Sequence, residues 1–283
     1  MDSKELKALV SLLDDEDSEV LSHVEKKIVS LGEEVIPFLE QYWEENFNPI
    51  VQRRLEDLIH TLQYDLLKSR LHDYKESGGE DLLEGMWLVA TYQYPELSLQ
   101  QLRQDLEQIY YDAWLEYKSD LHPIDQVKLL NSVLFSKLRF AANTRNFHSP
   151  ANSFINNILE TKKGNPIALC VVYMLVAQKL KMPVFGVNLP NLFILTYKTD
   201  QVQFYINAFN RGLIFSKNDI DNYIGHLHLT PEEEYYQPCS NLTIIKRVIR
   251  NLIAAYEKIG DHEKVEEVRM LLYTISDPGD PKF

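Results

Sequence analysis

The chain has 283 residues, 45% hydrophobic and 25% charged, the make-up of an ordinary globular protein with length enough for two domains or a mixed architecture. Its formal charge of −13 is unevenly spread: residues 1–120 carry 27 acidic and 11 basic side chains, and the remainder 15 and 18. Such a field disfavours phosphate backbones and anionic lipid, and no basic run offsets it, so neither nucleic acid nor membrane is expected as a partner.

Only Cys170 and Cys239 are present, too few for a disulfide framework, and the opening MDSKELKALVSLLDDED lacks the apolar stretch of a signal peptide. A cytoplasmic setting is expected. The longest apolar run, residues 167–177, is about half the length of a membrane span and reads as a core helix.

Residues 14–32 and 45–63 overlay at an offset of 31, matching Val20 with Val51, Val24 with Leu55, Ile28 with Ile59 and Leu31 with Leu62. These are the i, i+4, i+8 and i+11 positions of one helix face. Ser18 is placed to cap the first copy, Gly32 to end it, and Pro49 to open the second. The acidic run Asp14, Asp15, Glu16 and Asp17 reads as a solvated turn between helices, or less simply as a docking surface for a basic partner. A helix pair repeating at this spacing resembles a HEAT-type array.

KESGGED, at residues 75–81, is a glycine-containing break and marks a boundary. Beyond it the spacing of Leu102, Leu106, Tyr110 and Trp114 reads as a packing stripe on a helix. His122-Pro123 marks a turn, His148 reads as a turn residue, and Asn152-Ser153 as the cap of the helix FINNILETKKG. After the central apolar helix the composition turns to Val, Ile, Phe and Tyr, broken by Pro190, KTDQ and Asn-Arg-Gly, which predicts three or four antiparallel strands. From Asn241 two amphipathic helices flank Gly260-Asp261, a hairpin resembling a tetratricopeptide half-repeat. The class is therefore α+β and mostly helical.

LLEGMWLVATYQYPEL, HPIDQVKLLNSVLF, PANSFINNILETKKGNPIALCVVYMLVAQKLKMPVFGVNLP and FYINAFNRG, between residues 82 and 224, resemble the bacterial transglutaminase-like family known as regulators of an invasion-gene activator. The resemblance implies a papain/transglutaminase-like core, a central helix with a small antiparallel sheet, flanked by helical repeats. The expected organisation is HEAT-like repeats over residues 1–75, the transglutaminase-like domain with its helical lead-in over 80–236, and a tetratricopeptide-like hairpin over 240–278.

In active members of that family a nucleophile at the head of the central helix attacks an amide carbonyl, an imidazole takes its proton, and an Asp or Asn orients the imidazole. The resemblance puts these roles at Ala168, Leu192 and Asn207, where many relatives carry Asp-Pro and this chain has Asn207-Ala208. Ala168 cannot attack and Leu192 cannot accept a proton. Cys170 is the fallback nucleophile, but two residues turn a helical side chain by about 200°, away from the face of Ala168. It shares its spacing with Met174 and Ala177, which reads as core.

Asn165, Asn188, Asn191, Asn207 and Asn210 form an Asn-rich rim around the family's cleft, explicable by turn chemistry or by binding. His226 and His228, followed by Glu232, Glu233 and Glu234, are conceivable metal ligands on a strand, but they lack a clear third ligand, and a polar loop edge is the simpler reading. Cys239 alone gives no metal signal, so neither metal nor cofactor is expected. The function expected is a non-catalytic scaffold with a protein or peptide partner; the alternative is a cysteine-dependent amide hydrolase or acyltransferase using Cys170. The sequence leaves the oligomeric state open.

Overall fold

The computed structural model describes residues 3–277 and Gly279; Met1, Asp2 and Pro278, the last residue of the expected C-terminal hairpin, lie outside the described residues. The chain divides into two compact units, residues 1–70 and 71–283. The sequence places its break at the KESGGED segment, whereas the division falls earlier, within a helix that continues unbroken as far as Glu76. Gly78 and Gly79, both at positive φ, end that helix rather than separate the units.

The first unit holds α1 (Ser3–Ser11), α2 (Ser18–Val29), α3 (Ile36–Glu45) and most of α4 (Pro49–Glu76). Val24, Ile28, Val51, Leu55 and Leu62 are buried with Val20, Leu31 and Ile59 packed against them, so the two overlaid faces meet in one core. Asp17, not Ser18, caps α2: its carboxylate accepts the Glu19 amide at 2.8 Å, and a negative group suits the positive end of the helix. Asp15 accepts the Asp17 amide at 2.9 Å and Asp14 the Asn48 side-chain amide at 2.7 Å, which absorbs most of the acidic run into turn chemistry. Gly32 has φ +73° and ψ −161°, a backbone open in practice only to glycine.

In the second unit α5 (Leu82–Thr91), α6 (Leu99–Trp114) and α7 (Pro123–Asn131) lead to a wide turn of π type at Ser132–Lys137. The buried stripe of α6 is Leu102, Leu106, Ile109 and Ala113, whereas Trp114 is exposed. A constant step of four drifts about 40° per step around the helix, so a stripe must alternate steps of four and three. Two short parallel strands, β1 (Ala141–Ala142) and β2 (Lys163–Gly164), bracket α8 (Ile155–Thr161).

Next come α9 (Pro166–Lys179) and a meander of β3 (Val184–Leu189), β4 (Leu192–Lys198), β5 (Gln203–Asn207) and β6 (Leu213–Phe215), paired antiparallel in chain order. The register pairs Val187 with Ile194 and Leu189 with Leu192. One face of the sheet therefore carries Val187, Leu189, Leu192, Ile194 and Tyr205, covered by Ile220 and Ile224 of α10 (Lys217–His226). Phe193, one residue out of phase, lies on the other face, with Ile167 of α9 across a shared cavity.

The C-terminal hairpin, α11 (Asn241–Ile259) and α12 (His262–Ile275), turns at Gly260, whose φ of +79° supplies the left-handed cap. It belongs to the second unit, with α11 packed on α5, on α9 and on the short turn Pro150–Ser153. Among the described residues, no helix is long and apolar enough to cross a membrane.

α5 packs against α11 at Gly85, where an added Cβ would stand 2.7 Å from both Ile245 Cγ1 and Tyr74 Oη. Gly225 in α10 has nothing within 4 Å of its Cβ position. Gly85→Ala is expected to lower unfolding free energy by about 1–2 kcal/mol, steric overlap outweighing the helix-propensity gain. Gly225→Ala is expected to raise it by up to about 1 kcal/mol, both read from urea denaturation midpoints.

Candidate functional site

The head of α9 is built by its own sequence. Asn165 caps the helix, its side-chain oxygen accepting the Ala168 amide at 3.0 Å while its amide donates to Ser153 Oγ at 3.2 Å. Pro166 occupies the first turn, where its missing N–H costs nothing. From Ile167 to Met174 every side chain is buried, as the unbroken apolar run requires, so the helix is enclosed on all sides.

Enclosure decides the fate of Cys170. It has no exposed surface, its thiol donates to the Phe193 carbonyl at 3.7 Å, and burial pushes its pKa well above the usual thiol range even though the Ala208 amide, bonded to the sulfur, pulls the other way. Met174 and Ala177 are buried with it, as the core spacing suggests. Cys239, half-buried in the loop before α11, is likewise pushed up to about 12 by burial.

None of the positions that the resemblance assigns to the triad lines the recesses described below. Ala168 is fully buried against Gly164, and Leu192 lies on the sheet face covered by α10, away from α9. Asn207 ends β5, its side chain accepting the Asn210 amide at 3.1 Å.

What does open beside the head of α9 is a cavity of about 250 Å³. Asn165, Pro166 and Ile167 form one side, Asn191 and Phe193 from the start of β4 another, and Arg247, Asn251, Ala254 and Ala255 of α11 the third. Phe147, His148, Ser149 and Ser153 come from the loop before α8. Of the Asn-rich rim the cavity thus gathers Asn165 and Asn191. Asn188 is held by Arg247, whose Nη1 donates to its side-chain oxygen at 3.2 Å, and Asn210 lines a different recess with Arg139 and Arg211.

Asn152 and Ser153 do not cap α8, which starts from Phe154 without a side-chain cap. Instead the Asn152 side chain donates to the Asn146 and Phe147 carbonyls at 2.7 and 3.0 Å and fixes the loop, while Ser153 turns to Asn165. His148 lines the cavity rather than serving only as a turn residue. His226 is at the end of α10, not on a strand, with its ring nitrogen bonded to the Asn222 carbonyl; His228 follows at φ +57°. Among the described residues no group of His, Cys, Asp or Glu could hold a metal.

Sequence reasoning missed Arg247 and Asn251. Their signal was present: residues 247, 251, 254 and 255 fall at i, i+4, i+7 and i+8, a stripe of polar and small side chains on an amphipathic helix.

Residues 100–250, more than half of the chain, match the transglutaminase-like superfamily. The chain belongs to that superfamily. The UPF0162 protein of Xylella fastidiosa strain 9a5c is 27% identical over 187 residues, 62% of this chain and 64% of that one. The UPF0162 protein BU173 of Buchnera aphidicola is 26% identical over 168 residues, 58% of this chain and 61% of that one. This transglutaminase-like chain therefore spans less than two thirds of the length of those bacterial relatives. F-box only protein 21 of Mus musculus is 26% identical over 151 residues, half of this chain and 23% of that protein. No solved structure matches.

Burial of Cys170 has a consequence for stability. Its folded pKa lies above the unfolded value of 9.0, so the unfolded chain loses that proton first as pH rises, and the contribution is intact below pH 9 and falls away above it. Between pH 8 and pH 10 the wild type is expected to lose about 1.4 kcal/mol more unfolding free energy than Cys170→Ala. Parallel urea titrations across that range measure the difference.

Proposed function

We propose that this transglutaminase-like protein is non-catalytic and acts as a protein-interaction or regulatory scaffold. What carries the reading is the chemistry at the first turns of α9: Ala168 stands where the resemblance puts the nucleophile, and the neighbouring thiol, Cys170, is without solvent contact and has its ionisation suppressed. The thiolate is the attacking species in cysteine chemistry, and a buried thiol that stays protonated at neutral pH is inert. Leu192 and Asn207 at the other two positions add no proton acceptor. Beside this closed chemistry the cavity between α9, β4 and α11 stays open, lined by hydrogen-bonding side chains suited to holding a ligand rather than transforming one. Helical elements on either side of such a core offer extended surface for a partner.

Thiol labelling and turnover test the reading together. With iodoacetamide at neutral pH, Cys170 of the native protein is expected to stay unmodified while the unfolded chain labels at both cysteines, read by peptide mass spectrometry. With a glutamine-containing peptide and a primary amine, ammonia release is expected to stay at the blank rate and to be unchanged in Cys170→Ala. Fast native labelling of Cys170, or turnover that Cys170→Ala abolishes, would overturn the scaffold reading.

A further inference from the structure

The cavity beside α9 carries an unbalanced positive charge. Of the described residues that line it none is Asp or Glu, in a chain with 42 acidic side chains, and its one permanent charge is Arg247. That guanidinium is half-buried and reaches only neutral acceptors, Asn188 Oδ1 at 3.2 Å and the Leu189 carbonyl at 3.5 Å. Among the described residues no carboxylate pairs with it. Burial, and after it the neighbouring Arg250, push its pKa down, with Tyr223 acting the other way.

Two further donors are unspent at the same place. Pro166 has no N–H and Asn165 satisfies that of Ala168, and among the described residues nothing accepts the Ile167 amide in the first turn of this helix of fourteen residues. Ser153, 1% exposed, accepts from Asn165, and among the described residues nothing accepts its own hydroxyl hydrogen. A guanidinium fork, a helix N-terminus and a buried hydroxyl are the groups that bind an anion.

The apolar part of the lining selects the kind of anion. One guanidinium and the partial charge of one helix end sum to about 1.5 positive charges, midway between a carboxylate and a phosphate dianion. Apolar walls from Ile167, Phe193, Ala254 and Ala255 call for an apolar group next to the charge, and about 250 Å³ is below the size of pockets that take a drug-sized ligand. At the rim Phe147 is 43% exposed beside exposed His148, surface on which preceding residues of a chain can lie.

We infer that this cavity captures the C-terminal carboxylate and apolar last side chain of a partner polypeptide, with Arg247 as the carboxylate fork and the α9 N-terminus and Ser153 as its supporting donors. The inference rests on the scaffold reading for its biological sense, but its chemistry is separate: turnover through Cys170 would remove that reading and leave carboxylate capture intact.

Fluorescence anisotropy with the full chain tests it. The probes are fluorescein-labelled hexapeptides ending in leucine, valine or phenylalanine, each as free acid and as C-terminal amide. Unlabelled N-acetyl-leucine, the unlabelled acid hexapeptide and inorganic phosphate serve as competitors. At least one acid peptide is expected to bind, with its amide weaker by roughly 10- to 100-fold and a loss of the same order in Arg247→Gln. Arg247→Lys, which keeps the charge and loses the fork, is expected to fall between, and thermal melts of both variants confirm folding. Binding by none of the acids, equal binding of acid and amide, or an unchanged Arg247→Gln would overturn the inference. Phosphate competing better than N-acetyl-leucine would overturn the carboxylate assignment, and N-acetyl-leucine competing as well as the unlabelled hexapeptide would overturn the polypeptide source.

Discussion

The enclosure of α9 is the constraint on which the second unit depends. A helix buried along most of its length has little solvent for the donors of its first turn, so each must meet a protein group or face the cavity that opens there. Asn165 meets one, and in doing so it is drawn to Ser153, which ties the loop before α8 to the helix. Asn152 fixes that loop from the other side through the Asn146 and Phe147 carbonyls. One buried cap thereby sets the position of a surface loop, and with it the place of Phe147 and His148 at the cavity.

The same enclosure explains why a cysteine near a helix N-terminus is not reactive here. A helix end lowers a thiol pKa through its dipole, an effect confined to the first turn, and Cys170 stands beyond it. Desolvation acts on the thiolate wherever the site is dry and is the larger effect for a fully buried group. Burial therefore wins, and the thiol behaves as a small apolar side chain packed beside Met174 and Ala177.

Much of this was legible before any geometry. The apolar run 167–177 announced a core helix, the Val, Ile, Phe and Tyr segments announced the meander, and Gly260-Asp261 announced the turn of the last hairpin, because each is a local signal. What failed were readings that needed a partner distant in sequence. Asp17 outcompeted Ser18 by one residue, since hydroxyl and carboxylate both fit a cap and only geometry chooses. Asn152 and Ser153 look like a cap by type, yet their partners are the carbonyls of residues 146 and 147 and the side chain of residue 165. The cavity is least legible of all: Asn165, Asn191 and Arg247 are spread over more than eighty residues and meet only because α11 folds back onto the start of α9.

Strand parity then fixes where chemistry can reside in this fold. Side chains alternate between faces along β4, so Phe193 faces the cavity, Leu192 faces α10, and Asn191, in the left-handed turn at φ +59°, reaches the cavity from the strand's end. Leu192 itself is partly buried beside Val187, Leu189, Ile194 and Tyr205. The polar groups that line the cavity come instead from the turn, from the loop before α8 and from α11. The charge beside α9 is therefore supplied by the C-terminal hairpin and not by the sheet, and Arg247, reaching across to Asn188 and Leu189, joins that hairpin to the cavity it lines.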